Sequence, residues 1–372
     1  MINPIIFSFG NFALHWYGVI VMTGVIVGSL LAERELKRRG ENGDVIWDVL
    51  VGWVDIGPKF RFPFGTFQFG LPLGVLPMGI MGARLWYVMN ATLGGSTVYT
   101  ANPSEIIKVW HGGLHIFGGF LFGAITLLFF LKRYKIDPWL VLDSVGPALL
   151  IGQGIGRLGN FVNQELYGPP TTLPWGLKIS TQYSYQTPVE MRDRSVADIL
   201  AYLEKTRFNP TFAYEMLWNF AAAGLLFWLS RRYEKDLKPG TLFAGWLILA
   251  GTGRTWIEFF RPDQPKIAGL AISYSMFIAA LMAVAGAVLL LARYKAINLK
   301  VADNWEEEYQ VAGLGAMAVS QIVPTRKVTA GIITKASTKQ ASAEKSKSKN
   351  PLRKPRKSPT RTVKVNKKSG RA

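Results

Sequence analysis

As far as residue 291 the chain alternates long apolar blocks with short polar breaks, many of them basic. A helix that crosses a bilayer takes about 17–25 predominantly apolar residues. Seven blocks are of roughly that length: 14–32, 70–89, 114–131, 139–155, 212–229, 242–256 and 270–291. The pattern therefore predicts an all-α polytopic membrane protein of about seven transmembrane helices. Residues 45–55 are short and amphipathic, which suits an interfacial helix. Residues 56–69 mix aromatics with Pro and Gly and read as a loop or re-entrant insert. Residues 90–110 are a polar loop, and 164–209 are long enough for a small extramembrane lobe.

Charge orients this pattern. Basic clusters at 33–39, 132–135, 231–238 and 293–300 close the first, third, fifth and seventh blocks. Basic residues favour the cytoplasmic side of a membrane. The expectation is an N-terminus outside, a cytoplasmic C-terminus, and the lobe 164–209 outside with the loops 90–110 and 261–269. The first block lacks a basic leader and ends in ERELKRR, a stop-transfer pattern, so no cleaved signal is expected.

Composition refines the picture without changing it. The 372 residues are 49% hydrophobic and 18% charged, with a net charge of +19. Sixteen of the basic residues, against one acid, Glu344, lie from Tyr309 onward. The basicity belongs to a tail, so specific nucleic-acid binding is not expected of the remainder. Residues 1–300 read as the membrane domain. Residues 301–372 read as a basic cytoplasmic tail, disordered by composition and drawn to anionic lipid. The absence of cysteine excludes disulfides, a thiol nucleophile and thiolate metal sites in this chain.

Candidate chemistry gathers in 151–168, IGQGIGRLGNFVNQELYG, where an apolar block runs into Arg157, Asn160, Asn163 and Glu165 between glycines. A guanidinium at the end of a membrane span is costly unless an anionic or polar group receives it. The stretch reads either as an anion site at a membrane boundary or as a snorkelling arginine. A second group is GTGRTWIEFFRPD, 251–263. Arg254 and Glu258, four apart, share a helix face, and Arg261 follows. Two arginines from different spans suit bidentate capture of one phosphate; an Arg254–Glu258 structural pair is the alternative. His111 and His115 have a metal-like spacing, but glycines interrupt it; a proton carrier or an interfacial pair suits them better, and no metal is expected. His15-Trp16-Tyr17-Gly18 fits an interfacial belt. Glu215, Asp143 and Arg84 lie inside apolar blocks and need partners; an arginine of the site is the natural one for Glu215.

Together the strings HWYG, GARLWYV, WHGGL with GG after it, GQGIGRLGNFVNQE, PTFAYE and RTWIEFFR, in this order across residues 10 to 295, resemble the bacterial prolipoprotein diacylglyceryl transferases. The resemblance implies an enzyme of the plasma membrane working at its outer face. It moves the diacylglyceryl group of phosphatidylglycerol to the lipobox cysteine of a prolipoprotein signal peptide, forming a thioether and releasing glycerol phosphate, without a cofactor. By position, Arg157 and Arg254 match the family's essential arginines. Asn160, Glu165 and Gly168 match its polar and glycine positions, Glu258 its second acid, and Tyr17 the aromatic of the first span. Two positions depart: Phe117 and Ala250 stand where the family usually has His and Tyr.

Such a transfer needs a thiolate, whereas a free cysteine has a pKa of about 8.5, and it builds charge on the leaving phosphate. Arg157 and Arg254 are expected to stabilise that charge, aided by Arg261, with Asn160 and Asn163 donating hydrogen bonds and Glu165 and Glu258 orienting the guanidiniums. His115, Tyr17 or water is the candidate base. A transporter with an arginine-lined cavity, or a non-catalytic family member that binds lipid or signal peptide, are the competing readings.

Overall fold

The computed structural model describes residues 3–10, 12–55, 60–62, 65–67, 70–180, 191, 194–261, 266–267, 269–270 and 272–311. The first compact unit runs Met1–Met317; the second, Ala318–Ala372, lies outside the described residues, so the expected disorder of the tail is not described. A hairpin of β1 (Ile5–Phe9) and β2 (Phe12–His15) leads into α1 (Trp16–Arg38), which is followed by the short α2 (Val45–Val51). The region read as a loop or insert pairs instead as nested antiparallel ladders. β3 (Trp53–Asp55) pairs with β6 (Gly70–Pro72), and β4 (Phe60–Phe62) with β5 (Gly65–Phe67). Ladder bonds satisfy backbone groups that a bare loop would leave to solvent.

Then come α3 (Val75–Leu93), α4 (Val98–Ala101), α5 (Ile116–Tyr134) and α6 (Pro138–Asn163). The lobe holds β7 (Leu177–Lys178), α7 (Val196–Lys205) and β8 (Arg207–Phe208), around Tyr167, Ile179, Leu203 and Phe208. It is followed by α8 (Thr211–Arg232), α9 (Thr241–Ile257) and α10 (Tyr274–Arg293).

Each of the seven predicted blocks lies mostly on a helix, the blocks 14–32 and 70–89 opening on strand residues, and α1, α5, α6, α8 and α10 are long and apolar enough to cross a membrane. The central helix is α6, which packs on α1, α8 and α9; α9 also packs on α10, and α3 on α5. Lipid tails are as apolar as leucine, so helices in a bilayer associate through close packing of small residues. A Cβ on Gly24 would stand 2.8 Å from the Gly152 carbonyl oxygen, and only glycine permits this approach of α1 to α6. Asp137 caps α6 by accepting from the Trp139 N–H at 2.8 Å, and Gln164, at φ +51°, ends it.

The molecule has two chemically different ends. The last turns of α1, α5, α8 and α10 are basic, and they gather at the end where α6 and α9 begin. There Glu35, buried, takes Arg38 at 3.0 Å and Arg231 at 2.7 Å. Asp143, fully buried in α6, finds its partners in the first turn of α9: Gly240 N–H at 2.6 Å and Phe243 N–H at 2.7 Å. Arg84, also buried, binds the carbonyls of Glu105 (2.6 Å), Ile106 (3.0 Å), Gly112 and Gly113 (3.1 Å), and so ties down the loop before α5. Residues 300–311, on the tail side of the expected division, pack on the basic end through Tyr309, Trp305 and Glu307.

Candidate functional site

At the opposite end, three helix termini converge. Arg157 and Asn160 lie in the last turns of α6, Glu215 in the first turns of α8, and Arg254 in the last turn of α9. Glu215 joins them: Oε1 takes Arg157 Nη2, and Oε2 lies 3.5 Å from Arg254 Nη1. The Glu215 side chain is 11% exposed, while the two arginine side chains are 22% and 25% exposed. The cations are thus about twice as exposed as their counter-ion.

Each guanidinium is also held from a second direction. Arg157 Nη1 donates to Asn160 Oδ1 at 3.3 Å. Asn160 Nδ2 donates to Glu165 Oε1 at 2.9 Å, and Asn163 Nδ2 donates to the same oxygen at 3.3 Å. Arg254 Nη2 lies 3.2 Å from Glu258 Oε2, and Nε donates to Ser275 Oγ at 3.1 Å. Glu258, buried, accepts from Ser275 at 3.2 Å and from Ser273 at 3.0 Å. Ser273 also caps α10 by accepting from Met276 N–H at 3.0 Å. A planar guanidinium bonded along two edges has its remaining N–H directions set, which suits the recognition of a tetrahedral anion.

Of the residues singled out from sequence, Arg157, Asn160, Asn163, Glu165, Arg254 and Glu258 thus belong to one hydrogen-bonded network. Tyr17 stands beside it: its ring occupies the space a Cβ on Gly159 would need, and it lies within electrostatic reach of Glu165 and Arg157. Gly168 sits where the segments after α6, before α8 and after α9 meet. A Cβ there would lie 2.7 Å from Thr211 Cγ2 and 3.0 Å from the Phe260 carbonyl oxygen. Its place is one of close packing beneath the network. Arg261 is buried just past the turn Glu258–Phe260, and its N–H donates to the Glu258 carbonyl at 3.0 Å.

His115 lies elsewhere. It precedes the first residue of α5 in extended backbone, stacks on Phe117 with ring centroids 5.3 Å apart, and its N–H donates to the Ala83 carbonyl at 3.0 Å. Its Nδ1 is buried without a hydrogen-bond partner. Gly112 and Gly113, both at positive φ, separate His111 from His115, so the two do not share a helix. Among the described residues no three His, Asp or Glu gather as a metal site. Glu215 is the residue whose importance the sequence understated. A carboxylate inside an apolar block demanded a partner, but nothing local showed that it has two. Ser273 and Ser275 carried only the signal of a helix cap.

The model of the family described as prolipoprotein diacylglyceryl transferase matches residues 4–58 and 70–292. The unmatched stretch between them lies within 56–69, the insert noted from sequence. Relatives named phosphatidylglycerol–prolipoprotein diacylglyceryl transferase include one from Synechococcus elongatus, 35% identical over 75% of this chain and 84% of its own length. One from Bifidobacterium adolescentis is 35% identical over 69% of this chain and 68% of its own. One from Leifsonia xyli subsp. xyli is 34% identical over 75% and 74%.

Proposed function

The chain belongs to the prolipoprotein diacylglyceryl transferase family, and from that premise we propose how its arginine network works as a transferase. The substrates are phosphatidylglycerol and a prolipoprotein, the two that its relatives' name carries. The thiolate of the lipobox cysteine attacks the glyceryl carbon that bears the phosphate. The S–C bond forms, the C–O bond breaks, the thiol proton passes to a base, and glycerol phosphate leaves with one more negative charge. A group that gains charge in the transition state is best stabilised by donors already fixed in place. The observation that carries the reading is Glu215 seated between Arg157 and Arg254: one carboxylate holds two guanidiniums from different helices close enough to meet one phosphate. Asn160 and Asn163 supply further donors, Glu165 and Glu258 hold the network in register, and Arg261 adds positive charge at its edge.

Seven spans, with the site toward the outer leaflet of the bacterial plasma membrane, accommodate this chemistry. In support, basic last turns close α1, α5, α8 and α10 at the end away from the arginine network. Residues 1–300 then form the transferase domain, and the basic tail starts on the cytoplasmic side.

Glu215 is an orienting group in this scheme. Glu215→Gln keeps the shape but removes the charge that aligns both guanidiniums. The expected outcome is a fall in kcat of about tenfold or more, with KM for phosphatidylglycerol unchanged or lower because a competing anion is gone. A raised KM at native kcat counts against the role.

For the base, Tyr17 stands next to Arg157 and Glu165, whereas His115 makes no hydrogen bond, ion pair or ring contact with that network. Tyr17→Phe is therefore expected to lower kcat more than His115→Asn does. The reverse order, with the pH–rate profile flattened in His115→Asn, places the base at His115.

A further inference from the structure

The family match ends at residue 292, yet residues 300–311 return to the helices and hold one turn from three sides. That turn is the first of α9. Glu307 lies 2.7 Å from Lys238, just ahead of Gly240, and 2.9 Å from Lys295. Trp305 meets Trp139 edge-on with centroids 5.6 Å apart, and the Arg293 guanidinium stands over both rings. Trp139 in turn fills the space that a Cβ on Gly240 would take. Tyr309 donates to Asp143 Oδ2 at 2.7 Å, the oxygen that also accepts from the Gly240 N–H. Arg39 lies over the Tyr309 ring and donates to Ser144 and Ser230, which closes the network around the buried carboxylate.

The contacts of α9 with α10 are of a different kind. A Cβ on Gly251 would stand 2.5 Å from the Ala279 carbonyl oxygen, and one on Gly286 2.7 Å from that of Ala244. Small-residue contacts let two helices come close, but smooth surfaces have few ridges to lock one against sliding along the other. Along its length α9 is held by the Trp218 indole N–H, which donates to the Leu249 carbonyl at 2.9 Å, and by the buried Trp246 against Gly146; the polar anchors at the helix end add to these. A 17-residue helix is a rod of about 25 Å. Asp143 anchors one end, and Arg254 lies in the last turn of the other.

We propose that residues 300–311 form a strap that sets the axial position of α9 and so aims Arg254, with Tyr309 and Asp143 as positioning residues. This rests on the reading of Arg254 as a phosphate-binding group. Burial, and then the Asp143 carboxylate, hold the Tyr309 phenol well above the ordinary tyrosine range. The phenol therefore stays a hydrogen-bond donor at least up to the usual tyrosine value of about pH 10.

The test uses the full-length chain in phosphatidylglycerol-containing vesicles with a prolipoprotein reporter. Tyr309→Ala is expected to lower kcat about tenfold while KM for the lipid moves less, and Tyr309→Phe, which keeps the ring and loses the bond, to fall between it and the native chain. Val301→Ala, on the strap but 77% exposed, stays native. In a Ser275→Ala background, where Arg254 is already loosened, Tyr309→Ala is expected to cost less than about twofold, because two losses of one alignment do not add. Should Tyr309→Ala fail to accumulate in the membrane, Tyr309→Phe carries the same comparison. Native kcat in both Tyr309 variants, or an undiminished effect in the Ser275→Ala background, overturns the strap. Arg254→Ala, measured in parallel, separates the premises. Native activity there removes the reading of Arg254, whereas an impaired Arg254→Ala beside native Tyr309 variants removes the strap alone.

Discussion

Arg157→Ala is expected to lower thioether formation by about 10²–10³-fold, the usual cost of removing one preorganised donor from a developing oxyanion. The argument is geometric. Arg157 is bonded to Glu215 on one side and to Asn160 on the other, so its orientation is set before any lipid arrives. Alanine removes the cation and releases Glu215 toward Arg254 alone, leaving a buried carboxylate next to the leaving phosphate. The loss should fall mainly on kcat, since the charge it stabilises grows in the transition state. Helix packing is expected to survive. Arg157 is about one-fifth exposed, and α6 is held elsewhere by its close approach to α1 and by its contacts with α8 and α9. The measurement is diacylglyceryl mass on a reporter prolipoprotein, with membrane insertion of the variant verified separately. Native rates in that assay would remove Arg157 from the chemistry, and an uninserted protein would make it a structural residue.

Asp143→Ala carries the largest expected cost to stability, about 3–5 kcal/mol. The carboxylate is fully buried and accepts from the Gly240 and Phe243 N–H groups and from the Tyr309 hydroxyl. Helix N-termini leave N–H groups without intrahelical partners. Gly240, the residue that precedes α9 in the N-cap position, has no capping side chain of its own, so the cap comes from α6. Alanine takes the acceptor from all three donors and strands the buried Gly240 N–H away from water. It also leaves Arg39, which lies over the Tyr309 ring, without the nearby negative charge. Asp143→Asn keeps the shape with a single acceptor oxygen and should cost less. Thermal denaturation in a lipid-containing micelle tests the pair; an Asp143→Ala midpoint within a degree or two of native would show that α9 needs no cap from α6.

The two arginines also explain why the network is balanced in charge. Arg157 pairs with Glu215, and Arg254 with both Glu215 and Glu258. An uncompensated guanidinium near the membrane is expensive. Sharing Glu215 between two cations, one of them at 3.5 Å, supplies that compensation.

Much of this was legible along the chain. Apolar block length and the basic breaks located every long helix, because a bilayer imposes one length and one charge asymmetry on each span independently. The arginines, asparagines and glutamates at the ends of the blocks were conspicuous for the same reason, as charges where charge is costly. Their partners were not legible. Glu215 lies 58 residues from Arg157 and 39 from Arg254, and no local pattern announces a bridge between three helices. The hydrogen-bond mates of Arg84, and two of the three of Asp143, turned out to be backbone groups, which carry no residue code at all. The spacing of His111 and His115 suggests a shared face only if a helix runs through it; the intervening glycines argued against that in the sequence, and Gly112 and Gly113 do turn the chain there. Span and charge are properties a residue has with its own neighbours in sequence and with the membrane. Pairing is a property of the packed bundle, settled by which helix ends the glycine contacts allow to meet.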